Sequence, residues 1–182
     1  MHRGSKIIPA KSSRRVFFAL WPDKALQFRL AEIASSLQPQ CGGKPVPAHN
    51  IHCTLVFIGE TDQENIPRLI DAANSIRPES FSLQLSKVGA FRNSKVVWIA
   101  PVLIPPQLTL LVNDLQNALW QAGFRFDNKP FVPHITLMRK AGWLEQAALG
   151  EFIDWQVKGF ALVQSQAETR GMQYEVLNRF GA

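Results

Sequence analysis

Almost the same four-residue phrase occurs twice in this chain, and it constrains the possible fold more than any other feature. The two copies are His52-Cys53-Thr54-Leu55 and His134-Ile135-Thr136-Leu137, and their histidines lie 82 residues apart. Each copy sits in an apolar run that is typical of a strand, and each follows a helical pattern and a loop. The repeat therefore predicts two similar lobes related by a rough internal two-fold axis.

Short strands and amphipathic helices surround these two copies. The pattern predicts a loop over 39–48 and strands over 15–21, 51–59, 81–88, 95–102, 131–138, 159–165 and 172–180. Helices are predicted after an N-cap at Asp23, over 62–76, over 105–123 and, as a short piece, over 141–150. This order predicts an α+β fold of two similar, mostly antiparallel sheet-plus-helix lobes around a central cleft.

The length and composition of the chain suit a single domain. A chain of 182 residues lies within the usual size range of domains, and 46% apolar residues are enough to form a core. We therefore expect residues 14–182 to form one bilobal domain. The beginning of the chain is basic, and its apolar part is too short for a signal peptide. We expect a flexible basic leader over 1–13.

The net charge of +6 and the pI of about 9.7 favour a polyanionic partner, with nucleic acid as the first candidate. An ordinary basic globular protein is an equally good interpretation of the charge alone. Two cysteines without CxxC or zinc-ligand spacing indicate neither a disulfide framework nor a metal site, which favours a reducing cytoplasm. No apolar stretch approaches the ~18 residues of a membrane span, and no coiled-coil pattern is visible. We expect a cytoplasmic monomer.

Side chains alternate across a strand, and this sorts the residues of each copy onto two faces. His52 and Thr54 share one face of the first strand, whereas Cys53 and Leu55 point into an apolar layer. The second copy repeats this arrangement with His134, Ile135, Thr136 and Leu137. If the two strands are neighbours, two imidazoles and two hydroxyls converge on one cleft.

Such a cleft suits phosphoryl chemistry. The attacking group must lose a proton while the leaving oxygen gains one, on opposite sides of phosphorus. Imidazole titrates near neutrality, so two histidines can act as one acid and one base. Threonine hydroxyls can donate hydrogen bonds to the phosphoryl oxygens, where negative charge grows in the transition state. The chain has no carboxylate cluster of the kind that holds magnesium, so we expect neither a metal nor a cofactor.

A less specific interpretation of the motif also exists. A single His-x-Thr in a strand is most often a hydrogen-bonded polar pair without a catalytic role. Two matched copies in a chain that has only four histidines favour a functional pair instead. His49 has no matching copy and lies in a proline-rich loop, so we interpret it as a surface residue.

The paired motif resembles that of the two-histidine (2H) phosphoesterase superfamily. The chain is more closely similar to the bacterial RNA 2′,3′-cyclic phosphodiesterases, also called 2′-5′ RNA ligases. The similarity runs from about residue 15 to residue 180. Besides the two motifs, it is carried by the stretches Val16–Leu20, Asn50–Leu55, Phe57–Glu60, Ser94–Trp98 and Phe131–Leu137.

The resemblance implies a function and a role for each motif residue. The implied activity is hydrolysis of an RNA-terminal 2′,3′-cyclic phosphate, or of a small nucleotide analogue, to a 2′-phosphomonoester. His52 would donate a proton to the departing 3′ oxygen, and His134 would accept one from water. Thr54 and Thr136 would bind the phosphoryl oxygens. In reverse, with a 5′-hydroxyl in place of water, the same site would join RNA ends through a 2′-5′ bond.

Other residues are weaker candidates for substrate binding. Arg139 and Lys140 follow the second motif and could place positive charge near a phosphate or an RNA backbone. For Lys140, a solvated strand end is at least as good an interpretation. Aromatic residues that could stack on a base or a ribose are Phe17, Trp98, Phe131 and Tyr174. Core packing is the alternative use of each of these rings.

Two alternative functions follow from the same residues. The first keeps the site and changes the substrate to 2′-5′-linked oligonucleotides or to ADP-ribose cyclic phosphate, as relatives within the superfamily do. The second is a non-catalytic RNA-binding module in which the histidines only contact phosphate. Turnover of any cyclic phosphate would exclude this module as the whole account.

Overall fold

The computed structural model describes residues 13–127, 129–168 and 171–181, so all but the last residue of the leader predicted at 1–13 lies outside the described residues. Within these ranges no helix is both long enough and apolar enough to cross a membrane. The described elements are, in chain order, β1 (Ser13–Leu20), α1 (Lys24–Cys41), β2 (Lys44–Pro45), β3 (Cys53–Asp62), α2 (Ile66–Asn74), β4 (Phe81–Phe91), β5 (Val96–Pro101), α3 (Pro106–Gln121), β6 (Ile135–Arg139), β7 (Ala147–Val157), β8 (Gly159–Glu168) and β9 (Gly171–Gly181).

The strands form one antiparallel sheet that divides naturally into two lobes. The strand order is β7-β4-β5-β6-β3-β1-β8-β9, and the short β2 pairs with β6. Lobe 1 contains β3, β1, β8 and β9, and lobe 2 contains β6, β5, β4 and β7. The lobes join at β3 and β6 through the register pair Cys53↔Ile135. In each lobe a strand, a helix and an antiparallel neighbour follow one another, as β1-α1-β3 and as β5-α3-β6, so the predicted two-lobe α+β architecture is confirmed.

Helices α1 and α3 each contact a strand of the lobe to which their flanking strands do not belong. Helix α1 lies between β1 and β3 in the chain, yet it contacts β6 and β2 of lobe 2. Helix α3 lies between β5 and β6 in the chain, yet it contacts β3 of lobe 1 and the helix α2. Apolar residues from both lobes and all three helices therefore form one continuous main core.

Strand β1 is buried on both faces, which explains its continuous apolar sequence. Val16, Phe18 and Leu20 belong to the main core under the helices. Phe17 and Ala19 point to the opposite face, where they pack with residues of β8 in a small second cluster. This second cluster forms the floor of the sheet face that carries the candidate site.

Helix α1 begins where the sequence predicts and ends later than predicted. The Asp23 carboxylate accepts a hydrogen bond from the backbone N–H of Leu26 at 2.8 Å, which confirms the N-cap. The loop predicted at 39–48 is partly wrong, because the helix continues through Pro39 to Cys41. Gly42, with φ of 62°, then ends the helix, and its N–H donates to the carbonyl of Gln38 at 2.7 Å.

The short helix predicted at 141–150 is wrong. Residues 141–146 form no regular element, and β7 begins at Ala147 and pairs antiparallel with β4. Ile153, Trp155 and Val157 are buried, and the residues between them are exposed. Burial with period two is the pattern of a strand that packs one face on a core, so alternation outweighs the helix propensity of the alanines before it.

Candidate active site

The two histidine motifs meet where the lobes join. Cys53 of β3 and Ile135 of β6 form the register pair, and both side chains are buried in the main core. Leu55 and Leu137 are buried as well, so the predicted apolar faces of the motifs are confirmed. Because antiparallel neighbours run in opposite directions, each histidine lies across from the threonine of the other motif. The four polar side chains on the opposite face are half-buried: His52, Thr54, His134 and Thr136.

Both imidazole rings are held by the same kind of backbone contact. The Nδ1 atom of His52 lies 2.7 Å from the carbonyl oxygen of Asn50, and Nδ1 of His134 lies 2.7 Å from that of Val132. A carbonyl oxygen only accepts hydrogen bonds, so Nδ1 carries the hydrogen in each ring. The Nε2 atom is thereby left for chemistry in both rings. In His52 it lies 3.1 Å from Oγ1 of Thr54.

The pKa of His52 is lowered to about 4, chiefly because burial disfavours the charged ring. The hydrogen bond to the Asn50 carbonyl opposes this by favouring the imidazolium. Electrostatic interactions with Arg139 and His134 add a smaller lowering of the pKa. His52 is therefore neutral at pH 7 in the free protein, with a lone pair on Nε2.

Three aromatic rings enclose His52. The Trp21 indole stacks on the imidazole at 5.4 Å between centroids and an angle of 10°, and the Phe17 ring lies at 4.8 Å. Tyr174 of β9 meets the ring edge-on at 5.1 Å. The structure thus brings two of the predicted stacking candidates, Phe17 and Tyr174, to His52. Phe17 is only 3% exposed, so its described contacts are those of packing. Trp21 is a site residue that the sequence did not reveal, although it follows directly on the aromatic run of β1.

The surroundings of His134 come from lobe 2. Phe91, the last residue of β4, meets the His134 ring edge-on at 5.1 Å and packs against Trp98 at 5.4 Å. Trp98 pairs with Thr136 in the register of β5 and β6. Its ring is 5% exposed, and its Nε1 finds no hydrogen-bond partner among the described residues. Trp98 therefore supports the second motif from the neighbouring strand, and Phe91 is a further site residue that sequence patterns did not indicate.

A short turn before His52 is fixed by two buried amides. The turn spans Ala48–Asn50, and the Nδ2 of Asn50 donates to the carbonyl of Met172 in β9 at 2.7 Å. From α1, Nε2 of Gln27 donates to the carbonyl of Ile51 at 3.3 Å. These bonds set the position of the carbonyl that holds His52. Such contacts join distant parts of the chain, and only the polar Asn50 ahead of an apolar strand hints at them in the sequence.

Arg139 lies on the face of the sheet that carries the motif. In the pairing of β5 with β6, Arg139 is opposite Val96 and Thr136 is opposite Trp98. Val96 and Trp98 share a face of β5, so Arg139 and Thr136 share a face of β6. The Arg139 side chain is exposed, and its charge reaches His52 strongly enough to lower the pKa of that ring. The exposed Lys140 follows directly.

The arrangement combines two bases with several anion-binding groups. Two imidazoles carry Nε2 on the same face as two hydroxyls, with a guanidinium nearby. This set can move two protons around one atom and can stabilise negative charge between them. In the parts of the chain that the structure describes, no three His, Cys, Asp or Glu side chains are grouped so as to hold a metal ion.

Comparisons with known proteins identify similar sequences and structures. A family model described as LigT like phosphoesterase matches twice in succession, over residues 20–98 and 99–174, with one motif in each match. An RNA 2′,3′-cyclic phosphodiesterase of Thermus thermophilus is 33% identical over 176 residues, which cover 91% of this chain and 89% of the relative. The Escherichia coli protein of the same name is 35% identical over 128 residues, or 70% and 73% of the two chains. The crystal structure of E. coli LigT complexed with 3′-AMP superposes with a TM-score of 0.85 at 31% identity, covering 93% of this chain and 98% of that one.

Proposed function

The chain belongs to the LigT-like phosphoesterase family, and we propose that it hydrolyses RNA-terminal 2′,3′-cyclic phosphates to 2′-phosphomonoesters. One observation carries this proposal: two histidines anchored through Nδ1 lie on one sheet face, each across from the threonine of the other motif. The relatives that bear the name RNA 2′,3′-cyclic phosphodiesterase support it.

The two histidines have opposite roles in the proposed reaction. Water attacks phosphorus while Nε2 of His134 accepts its proton. The bond between phosphorus and the 3′ oxygen breaks, and Nε2 of His52, protonated at that stage, gives its proton to the departing oxygen. The products are a 3′-hydroxyl and a 2′-phosphomonoester, so protons and bonds balance. With a 5′-hydroxyl in place of water, the reverse step joins RNA ends by a 2′-5′ bond.

The remaining groups stabilise the phosphoryl oxygens. The hydroxyls of Thr54 and Thr136 donate hydrogen bonds to the non-bridging oxygens, and the Arg139 guanidinium adds positive charge. Phe17 and Tyr174 hold His52 in place, and Trp98 supports Phe91 beside His134. The part of the Tyr174 ring that stays accessible contacts the terminal nucleoside. This chemistry needs no metal and no cofactor.

The donor role of His52 requires that substrate binding change its protonation state. Burial keeps the ring neutral in the free protein, with a pKa of about 4. The bound cyclic phosphate is an anion, and a nearby negative charge favours the imidazolium. His52 therefore takes up a proton as the substrate binds.

We infer that residues 14–182 carry the whole site as one bilobal domain, preceded by a basic leader, and act as a cytoplasmic monomer.

Product analysis tests the proposal. The protein is incubated in EDTA with an RNA that ends in a 2′,3′-cyclic phosphate, and the ends are identified by chromatography. We expect a 2′-phosphate end, and a loss of kcat of at least about 100-fold in each of His52→Ala and His134→Ala. His49→Ala is the matched control, since His49 is exposed and lies outside the site.

Two results would contradict the proposal: no 2′-phosphate product, or full activity in either His52→Ala or His134→Ala. The same assay includes 2′-5′-linked oligonucleotides and ADP-ribose cyclic phosphate. The largest kcat/KM then identifies the preferred substrate class.

A further inference from the structure

We infer that a group of turns in lobe 2 binds the RNA strand leading to the cyclic phosphate, so that an oligonucleotide is preferred over a mononucleotide. This inference rests on the proposed function and names its substrate class. The group, here the cationic turn cluster, consists of exposed side chains from three chain segments: Lys44, Arg92, Lys95, Lys140 and Trp143.

Strand pairing, a backbone hydrogen bond and a cation–π contact hold the three segments together. Lys44 of β2 and Val96 of β5 both pair with Arg139 of β6, one on each side. The N–H of Ala141 donates to the carbonyl of Lys95 at 3.0 Å, which joins the turn after β6 to the turn before β5. The guanidinium of Arg92 lies over the ring of Trp143, 4.2 Å from its centroid. The cluster is therefore a single surface built from distant parts of the sequence.

This surface begins directly beside the second motif. Phe91 contacts the ring of His134, and Arg92 is the next residue. Arg139 lies three positions after Thr136 along β6, which corresponds to about 10 Å of strand. An RNA strand whose terminal phosphate lies between the two motifs therefore contacts the cationic turn cluster within its next few nucleotides.

The charge of the cluster is almost uncompensated. Segments 41–46 and 91–96 contain no acidic residue, and Glu145 is the one acid in segment 139–146. Among the described residues, none of the cluster's four cations forms an ion pair. Two of them, Lys95 and Lys140, adopt φ of 52° and 54°, a conformation that is costly for residues other than glycine and is often found at functional sites.

The side-chain chemistry fits a single-stranded nucleic acid. Single-stranded nucleic acids bind to surfaces that combine two features. Cationic side chains lie along the phosphate backbone, and bases stack on an exposed aromatic ring. Trp143 is 49% exposed although it is a large aromatic residue, and it stands among the four cations. The cations contact phosphates, and the indole stacks on a base upstream of the cyclic phosphate.

Kinetics on substrates of two lengths test the inference. The substrates are a mononucleoside 2′,3′-cyclic phosphate and a short single-stranded RNA with the same end. In Trp143→Ala, the ratio of kcat/KM for the oligonucleotide to kcat/KM for the mononucleotide should fall about tenfold. In Arg92→Gln, the same ratio should fall less steeply as the salt concentration rises. The slope of its logarithm against the logarithm of the salt concentration should become shallower by about 0.7 for each phosphate that the variant no longer neutralises.

Matched controls lie on the helices, away from the cluster. Trp120 on α3 is 71% exposed, and Arg29 on α1 is exposed. Trp120→Ala and Arg29→Gln should leave the ratio unchanged. An unchanged ratio in Trp143→Ala and Arg92→Gln, or an equal loss on both substrates, would overturn the inference.

A binding measurement separates failure of this inference from failure of the proposed function. Fluorescence anisotropy follows a labelled single-stranded RNA that ends in a 3′-phosphate, in competition with polyglutamate. Weaker RNA binding in Arg92→Gln and Trp143→Ala supports the inference even if no cyclic phosphate is hydrolysed. Unchanged RNA binding in both variants, or competition by polyglutamate as strong as by RNA, overturns it even if hydrolysis is observed.

Discussion

A backbone carbonyl two positions before each catalytic candidate determines which nitrogen of the ring can react. In both motifs the carbonyl binds the hydrogen on Nδ1, at 2.7 Å in each case. The reactive Nε2 atoms then differ in their surroundings, since His52 is enclosed by three aromatic rings and His134 contacts Phe91. The two matched histidines therefore lie in unequal surroundings, and for His52 burial lowers the pKa to about 4.

The burial of His52 predicts a pH dependence of stability. Its pKa is about 4 in the folded chain and has the ordinary value of 6.5 in the unfolded chain. Between these values the unfolded chain binds a proton that the folded chain does not. The free energy of unfolding should therefore rise with pH across this window, by up to about 3 kcal/mol from this residue, and fall as the pH drops towards 4.

Urea unfolding of the wild type and of His52→Gln, in steps between pH 4 and pH 6.5, measures this contribution. The variant should show a flatter dependence on pH. His49→Gln serves as the control because that histidine is exposed, and it should keep the wild-type dependence. If the free energies of unfolding of the wild type and of His52→Gln change in parallel with pH, burial of the His52 ring does not cause the pH dependence.

At the scale of elements, the neighbouring strands position the motifs as much as the motif strands do. Strand β5 supplies Trp98 opposite Thr136, and the end of β4 supplies Phe91 against His134. This packing depends on Gly89 in β4, which pairs with Trp98. A Cβ at Gly89 would lie 2.7 Å and 2.9 Å from the ring atoms Cζ2 and Cη2 of Trp98.

Gly89→Ala should therefore displace the Trp98 ring and, through Phe91, the second histidine. We expect a loss of about 1–3 kcal/mol in the free energy of unfolding, together with a lower kcat. Gly150→Ala in β7 is the control, because no atom lies within 4 Å of its added Cβ. Denaturant unfolding and steady-state kinetics compare the two. Equal stability of the two variants would contradict the role of the glycine.

The sequence predicted the features that depend on the local alternation of apolar and polar residues. It missed those that depend on contacts between distant parts of the chain. Alternation within nine residues is enough to assign Cys53 to the core and His52 to the opposite face. The aromatic enclosure by Trp21 and Tyr174 joins the end of β1 to β9, and no local pattern encodes it. The error at 141–150 has a local cause, because the alternation that marks β7 only becomes clear after Gly150.

For the whole molecule, the essential point of the proposed mechanism is that its acid and its base come from different lobes. His52 precedes β3 of lobe 1, and His134 precedes β6 of lobe 2. In that mechanism neither histidine can replace the other, because one proton must be delivered and another removed in the same displacement. The two residues therefore act as one unit whose parts cannot be added as independent contributions.

This unity predicts a strongly non-additive double variant. His52→Ala combined with His134→Ala should reduce kcat/KM by about as much as either change alone, because each single change already disables the proton transfers. Kinetics of both single variants, the double variant and the wild type complete the cycle. A double variant with a loss near the product of the single losses would mean that the histidines act independently.

The exchange of helices between the lobes has a consequence for how the chain could have arisen. Helix α1 contacts β6 of the lobe to which its flanking strands do not belong, and α3 contacts β3 reciprocally. Two copies of one ancestral half-chain that traded their helices would form a closed pair with this topology and two equivalent motifs. Fusion of such a pair into one gene frees each copy to diverge, so that one histidine can specialise in giving a proton and the other in taking one.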